Sequence, residues 1–205
     1  MITLKKKFSD ADNFVYNKIV LLRVDLNVPF ENNEITDNTR ITKIIPTILN
    51  LISQKAKIVI ISHLGRPKGK FLEELSLKLI IEELENLLNK KIFLCKSDIK
   101  NLKKTDLQEK FDKYDLVVLE NIRFYPEEEK NDKKFAKKLS SLADMYINEC
   151  FSSSHRAHAS ISGIPKFIPS FPGELLENEI INLKNLFSLS DGSKSIAIFG
   201  GAKVS

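Results

Sequence analysis

The sequence predicts an α/β protein built around a parallel sheet. Short apolar runs typical of buried strands alternate with longer segments whose apolar residues recur at helical spacing. This alternation favours a parallel sheet with helices on its faces. Hydrophobic residues make up 42% of the 205 residues and are spread over the whole length, so the chain can bury a sizeable core.

The first half of the chain predicts three strands and two helices. The strands are residues 19–24, 57–62 and 92–95, each a short apolar run. The first helix follows possible caps at residues 37–39 and has apolar residues at 41, 44, 45, 48, 49 and 52. Pro46 interrupts that pattern, so this helix either kinks or begins there. Residues 73–89 predict a second amphipathic helix.

The second half predicts two further strands, at residues 116–119 and 145–148, with a capped helix over residues 131–141 between them. Residues 163–173 contain three of the seven prolines, and we expect irregular structure there. Residues 174–189 then predict a long helix and residues 195–199 a new strand.

This order of elements predicts three segments. Residues 1–173 would form one domain, residues 174–190 a connecting helix, and residues 191–205 the truncated start of a second domain. A lone strand is marginal in water, so we expect that the chain is part of a longer protein or half of a split one.

The positive charge comes mainly from lysine, and arginine is rare. The formal net charge of +5 favours anionic partners without specifying them. Only five of the 32 basic residues are arginines: Arg23, Arg40, Arg66, Arg123 and Arg156. A guanidinium group binds carboxylate or phosphate through two parallel hydrogen bonds, whereas an ammonium group is a point charge. The arginines are therefore candidates for anion binding.

The arginines follow the predicted strands closely. Four of them come after a strand, and Arg40 opens the helix after the first strand. Ligands of open α/β sheets bind beyond the carboxyl ends of the strands, so we expect the five to share one edge. Other polar residues follow the same strands: Asp25, Asn27, His63, His155 and His158. The pattern favours a pocket for a small polyanion over five separate structural ion pairs. Asp25 would orient arginines or accept from a substrate hydroxyl.

Other kinds of site are less well supported. Residues 65–70 (GRPKGK) are similar to a phosphate-binding P-loop, but Phe71 stands where that motif needs Ser or Thr. No G-x-G-x-x-G motif is present. Cys95 and Cys150 fit no metal or redox spacing, so we interpret them as buried thiols and assign no metal site. We interpret the acidic run at residues 127–129 as a solvated loop.

Targeting and nucleic-acid patterns are also weak. Residues 1–10 carry three lysines without the apolar run of a secretory signal, and no segment approaches the roughly 18 apolar residues of a membrane span. We therefore expect a cytoplasmic protein without membrane contact. Basic residues do not line one helix face beside exposed aromatic residues, so nucleic-acid binding is disfavoured.

Six segments, taken in order, resemble a known family. They are LLRVDLNVP, ITDNTRI, ISHLGRPKGK, VVLENIRFYPEEEKND, SSSHRAHAS and IFGGAKVS. In order and spacing they resemble the signature segments of the phosphoglycerate kinase family over essentially the whole chain. The resemblance implies two Rossmann-like lobes, each a three-layer α/β/α domain with a six-stranded parallel sheet. This chain would hold the amino-terminal lobe, the joining helix and the start of a truncated second lobe.

The resemblance also implies an activity and its substrates. The family transfers a phosphoryl group reversibly between 1,3-bisphosphoglycerate and ADP in glycolysis, giving 3-phosphoglycerate and ATP. The nucleotide is a substrate, Mg-ATP or Mg-ADP, whose site would lie mostly in the second lobe, and no cofactor is bound by this chain. We expect a monomer that binds 3-phosphoglycerate without turnover. The alternative is a free-standing anion-binding module without catalysis.

The family's site residues map onto this chain by motif. By resemblance, the phosphoglycerate-binding residues are Asp25, Asn27, Arg40, His63, Arg66, Arg123 and Arg156, with Arg23, Leu26, Leu64 and Gly65 in the same segments. Arg40 and Lys203 would be the catalytic cations, and Lys203 would also approach the nucleotide phosphates. The chain departs from the family pattern at residues 152–155, SSSH where Gly-Thr-Ala-His is common, and at residues 148–150, NEC where Asn-Asp-Ala is usual. A serine in place of that glycine could change how closely the loop approaches a substrate.

Overall fold

A six-stranded parallel sheet forms the centre of the protein. The computed structural model describes residues 6–12, 14–32 and 34–187. Its strands are β1 (Ile19–Arg23), β2 (Phe30–Glu31), β3 (Glu34–Ile35), β4 (Lys57–Ile61), β5 (Ile92–Cys95), β6 (Leu116–Leu119), β7 (Met145–Asn148) and β8 (Ser170–Pro172). Strands β2 and β3 form a separate antiparallel hairpin. The other six are parallel, in the order β5-β6-β4-β1-β7-β8.

Helices cover both faces of the sheet. They are α1 (Thr39–Ser53), α2 (Lys78–Leu88), α3 (Lys104–Gln108), α4 (Pro126–Glu129), α5 (Lys133–Ser140) and α6 (Glu174–Phe187). Successive side chains of a strand point to opposite faces. Accordingly, Val20 and Leu22 of β1 pack in one apolar cluster with α1 and α2, whereas Leu21 packs in a second cluster with α3 and α5. The predicted three-layer α/β/α fold with a six-stranded parallel sheet is confirmed.

The central strands are buried on both faces, as their apolar runs predict. All five residues of β1 are buried, and β1 lies between β4 and β7. In this register Arg23 stands beside Ile61 and Asn148, at the last position of each strand. The carboxyl ends of these parallel strands therefore meet at one edge, and the loops that follow them lie side by side.

Two predictions about secondary structure are wrong, and one of two alternatives at Pro46 is excluded. Residues 163–173 are not wholly irregular, because β8 lies there and completes the sheet beside β7. Pro172 is tolerated because an edge strand does not need every backbone donor. Helix α1 begins at Thr39 and runs through Pro46, rather than starting there. Residues 73–89 hold a 3₁₀ turn, Glu73–Leu75, before α2 begins at Lys78.

Other predictions extend past the described residues. The long helix is observed as α6 and described as far as Phe187. The strand predicted at residues 195–199, Lys203 and the segment assigned to a second lobe lie outside the described part of the chain. The division at residues 173 and 190 stays a prediction. Among the described residues, no helix is both long and apolar enough to cross a membrane.

A buried carboxylate fixes the start of α6. The side chain of Glu149 accepts hydrogen bonds from Thr47 Oγ1, from Leu175 N at 3.0 Å and from Leu176 N at 3.3 Å. It therefore caps the helix amino terminus, where backbone donors lack partners within the helix. Burial raises the pKa of Glu149. A Cβ on Gly173 would lie 1.9 Å from Glu149 Oε2, so no side chain fits there in this arrangement.

Candidate anion-binding site

A cavity of about 230 Å³ lies at the edge where the strands end. The loops after β1, β4, β6 and β7 and the first turn of α1 all contribute to it. Its lining residues are Asp25, Asn27, Arg40, His63, Gly65, Arg66, Arg123, Ser152, Ser153 and Arg156. Four of the five arginines thus share one cavity, which is the clustering that the strand order predicts.

Arg66 and Arg156 line the cavity with unengaged side chains. Both residues are exposed. Within the described part of the chain, neither guanidinium group makes a hydrogen bond or ion pair, although surface arginines commonly have acidic neighbours. Two free guanidinium groups on one cavity are a strong attraction for a ligand with two anionic groups.

Arg40 is held by the loop after β1 and remains half exposed. Its Nη1 lies 2.8 Å from Asp25 Oδ2 and donates to the carbonyl oxygen of Asn27 at 3.1 Å. Asp25 is itself oriented, because its Oδ1 accepts from the backbone N–H of Asn27 at 3.0 Å. These bonds place the positive charge of Arg40 at the cavity without neutralising it fully, since 49% of its side chain is exposed.

Arg123 is more deeply placed and ties two loops together. Its Nη1 donates to the carbonyl oxygen of Gly65 at 2.9 Å, and its Nε lies 3.5 Å from Glu129 Oε1. Burial lowers the pKa of Arg123. Gly65 has φ +61°, a left-handed conformation that favours glycine, and its N–H donates to Asn27 Oδ1 at 2.7 Å. The β1, β4 and β6 loops therefore support one another around the cavity.

Arg23 lies behind the cavity and does not line it. Only 1% of its surface is exposed. Its Nε donates to Ser160 Oγ at 3.1 Å, its Nη1 donates to the carbonyl oxygen of Val24, and its Nη2 lies 3.0 Å from His63 Nδ1. The structure therefore places Arg23 in contact with His63, which does line the cavity.

The two leucines of the predicted site lie in the core. Leu26 and Leu64 are buried in the apolar cluster that contains Val20 and Leu22 of β1. Their backbones are engaged as well, because the N–H of Leu26 donates to Ser62 Oγ at 3.0 Å and the carbonyl oxygen of Leu64 accepts from Asn121 Nδ2 at 2.8 Å. Neither lines the cavity.

Ser152 is a cavity residue that the predicted site omits. Its Oγ donates to Asp25 Oδ2 at 2.6 Å, so that carboxylate oxygen is shared with Arg40. Ser152 and the buried Ser153 lie in the 3₁₀ turn Phe151–Ser153, in the loop that follows β7. Their position after a central strand could have indicated that they line the cavity. The residue type could not, because serine is common in loops of every kind.

Glu128 contradicts the prediction of a solvated acidic loop. Residues 126–129 form α4, and Glu128 is only 1% exposed. It accepts hydrogen bonds from Ser160 N at 2.9 Å and from Ser160 Oγ at 2.6 Å, and it lies 3.7 Å from His158 Nδ1. Burial raises the pKa of Glu128. His155, in contrast, is exposed and does not line the cavity.

Comparisons with known proteins identify the family of the chain. Residues 10–205 match the family model described as phosphoglycerate kinase. The chain belongs to the phosphoglycerate kinase family. Among curated phosphoglycerate kinases, that of Wolbachia pipientis wMel is 50% identical over 192 residues, which are 93% of this chain and 47% of the relative. That of Moorella thermoacetica is 46% identical over 200 residues, 97% of this chain and 50% of the relative.

Solved phosphoglycerate kinases share the fold. The Coxiella burnetii structure aligns with a TM-score of 0.74 and 35% identity, over 83% of this chain and 42% of its own. The Pyrococcus horikoshii structure aligns with a TM-score of 0.76 and 30% identity, over 91% and 47%. The chain spans about half the length of the curated phosphoglycerate kinases that it matches.

Proposed function

We propose that this chain is the phosphoglycerate-binding half of a phosphoglycerate kinase. The observation that carries the proposal is the pair of unengaged guanidinium groups, Arg66 and Arg156, on a cavity that Arg40 and Arg123 also line. 3-Phosphoglycerate has a phosphate at one end and a carboxylate at the other. Two charged ends suit a cavity lined by several arginines at the ends of neighbouring strands.

The reaction proposed for the whole enzyme is reversible phosphoryl transfer between 1,3-bisphosphoglycerate and ADP. The nucleophile of the reverse direction is a carboxylate, which is ionised at pH 7 and needs no general base. Catalysis then depends on in-line positioning and on cations around the moving group. Arg40 supplies one such cation from this chain, and Lys203 is proposed as the second.

The nucleotide enters this proposal as a substrate. Mg-ATP or Mg-ADP would be held mostly by residues beyond this chain, and closure of two lobes would exclude water from the transfer. We therefore propose that the 205-residue chain binds 3-phosphoglycerate without turnover, as a monomer in the cytoplasm. The competing hypothesis is a free-standing anion-binding module. Coding DNA that continues in frame into a second lobe would argue against it.

Calorimetry of the purified chain tests the proposal directly. The titrants are 3-phosphoglycerate, 2-phosphoglycerate and inorganic phosphate. We expect saturable binding that prefers 3-phosphoglycerate. Arg40→Ala should weaken it by about 10- to 150-fold, since a hydrogen bond to a charged group contributes about 1.5–3 kcal/mol.

Two further measurements sharpen the result. Arg66→Lys keeps the positive charge but replaces the planar guanidinium group with an ammonium group. The variant therefore tests whether the ligand is bound through two parallel hydrogen bonds or through charge alone. Equal affinity for all three titrants would contradict a phosphoglycerate site. ATP-dependent turnover in a coupled assay of the 205-residue chain would contradict the proposed need for a second lobe.

A further inference from the structure

The hydrogen bond between Arg23 and His63 has a defined direction. Arg23 Nη2 lies 3.0 Å from His63 Nδ1, and both side chains are buried. A guanidinium group carries only donors, so His63 Nδ1 must be the acceptor. A neutral imidazole has one N–H, and with Nδ1 accepting, the proton is on Nε2.

The surroundings of His63 disfavour a second proton on its ring. Burial, followed by the charge of Arg23, lowers the pKa of His63 to about 2. The charges of Arg123 and Arg40, together with His158, lower the pKa of His63 in the same direction. Protonation of Nδ1 would also place an N–H against the N–H of Arg23, so the hydrogen bond would be lost.

Arg23 is held in this orientation from its other side. Its Nε donates to Ser160 Oγ at 3.1 Å, and that hydroxyl donates to Glu128 Oε1 at 2.6 Å. Both hydrogen bonds, from Arg23 to Ser160 and from Ser160 to Glu128, run in the same direction. They end at the Glu128 carboxylate, whose charge offsets the buried guanidinium. The arrangement leaves Arg23 Nη2 aimed at the imidazole.

The other ring nitrogen of His63 is available to a ligand. His63 lines the cavity, and Nε2 has no hydrogen-bond partner within the described part of the chain. It is not enclosed either, since Glu127 Oε2 is the one polar side-chain atom found both buried and unpaired among the described residues. The Nε2–H group is therefore the one polar group of this cavity-lining ring that is left for a ligand.

We propose that Arg23 is a positioning residue that fixes His63 in the Nε2–H tautomer, so that His63 offers a neutral hydrogen-bond donor to an oxygen of the bound ligand. This inference rests on the proposed function for the identity of that ligand, 3-phosphoglycerate. In this tautomer Nε2 of His63 can only donate a hydrogen bond and cannot accept one. Phosphate and carboxylate oxygens fit it, and the donor persists across pH 5–8.

Nitrogen NMR of the histidine rings tests the tautomer without any ligand. The 205-residue chain has three histidines, so His63→Gln assigns the ring of interest, and exposed His155 serves as the reference. We expect His63 with a protonated Nε2 and an unprotonated Nδ1 from pH 8 to pH 5. A ring protonated at Nδ1, or at both nitrogens, would overturn the inference even if calorimetry shows specific 3-phosphoglycerate binding.

Matched variants test the positioning role of Arg23. Arg23→Met removes the donor at similar volume and should give a mixture of tautomers with about three- to tenfold weaker 3-phosphoglycerate binding, since one hydrogen bond is lost. Ser76→Ala removes a different buried hydrogen bond, from Ser76 Oγ to Glu120 Oε2 at 2.7 Å, and should leave the His63 tautomer unchanged. An unaltered tautomer in Arg23→Met would also overturn the proposal. If Arg23→Met does not fold, the wild-type spectrum still decides the tautomer.

Discussion

Replacing Glu128 with alanine is expected to lower the free energy of unfolding by about 3–5 kcal/mol. Glu128 lies in a run of three glutamates, but only this one is buried, at 1% exposure. Its carboxylate accepts from Ser160 N and Ser160 Oγ and offsets the charge of Arg23. The alanine variant would leave a buried backbone donor without a partner, which costs about 1–3 kcal/mol, and an uncompensated buried guanidinium. These two costs overlap, so they are not simply added.

Urea denaturation followed by circular dichroism measures this loss. With a slope of about 2 kcal/mol/M, the expected change lowers the midpoint by about 1.5–2.5 M. The matched control is Glu127→Ala. Glu127 pairs with Lys100 at 2.6 Å, 51% of the lysine side chain and 28% of the glutamate side chain are exposed, and ion pairs open to solvent contribute little. Glu128→Gln keeps one acceptor for Ser160 and should fall between the two. Equal midpoints for Glu127→Ala and Glu128→Ala would refute the reasoning.

Three further changes have defined outcomes. Folding lowers the pKa of His63 from about 6.5 to about 2. The contribution of His63 to the free energy of unfolding is therefore fully present above pH 6.5 and is lost as the pH falls below that value, by about 1.4 kcal/mol per pH unit. Denaturation at pH 7.5, 6 and 5 should show a shallower decline for His63→Gln, and parallel declines would contradict this. Ser152→Ala should weaken 3-phosphoglycerate binding several-fold by calorimetry, whereas Ser154→Ala, on the same loop, should not. Tyr146→Phe should cost about 1–3 kcal/mol in urea denaturation, because the Ser160 carbonyl oxygen loses a buried donor. An unchanged midpoint would argue against that bond.

The strands could be predicted where the local sequence carries the whole signal. Residues 58–61 and 116–119 are apolar runs because both faces of the sheet are buried there, and the structure confirms both segments as parts of strands. Strand β8 carries no such signal. It is three residues long, lies at the sheet edge and ends in Pro172, so its identity depends on pairing with β7.

The cavity could be predicted from the order of strands and arginines, but the contacts that hold its loops in place could not. Rare arginines after parallel strands indicate a shared edge, and Arg66 and Arg156 do line one cavity there. The burial of Glu128 depends on Ser160, which is 32 residues away in sequence, and nothing in an acidic run indicates which carboxylate turns inward. The contact of Ser152 with Asp25 likewise joins loops that are 127 residues apart.

The close approach of Gly173 to Glu149 constrains the order in which mutations can accumulate. Any side chain at position 173 collides with the Glu149 carboxylate, so Gly173→Ala is harmful while the glutamate is present. A shorter acid at position 149 removes the closest contact, the one with Oε2 at 1.9 Å, and keeps a carboxylate near the start of α6. The two sites are therefore epistatic, and Gly173→Ala should cost less stability after Glu149→Asp than before it. The glutamate therefore makes the glycine hard to replace, so a substitution at position 149 is expected to precede one at position 173.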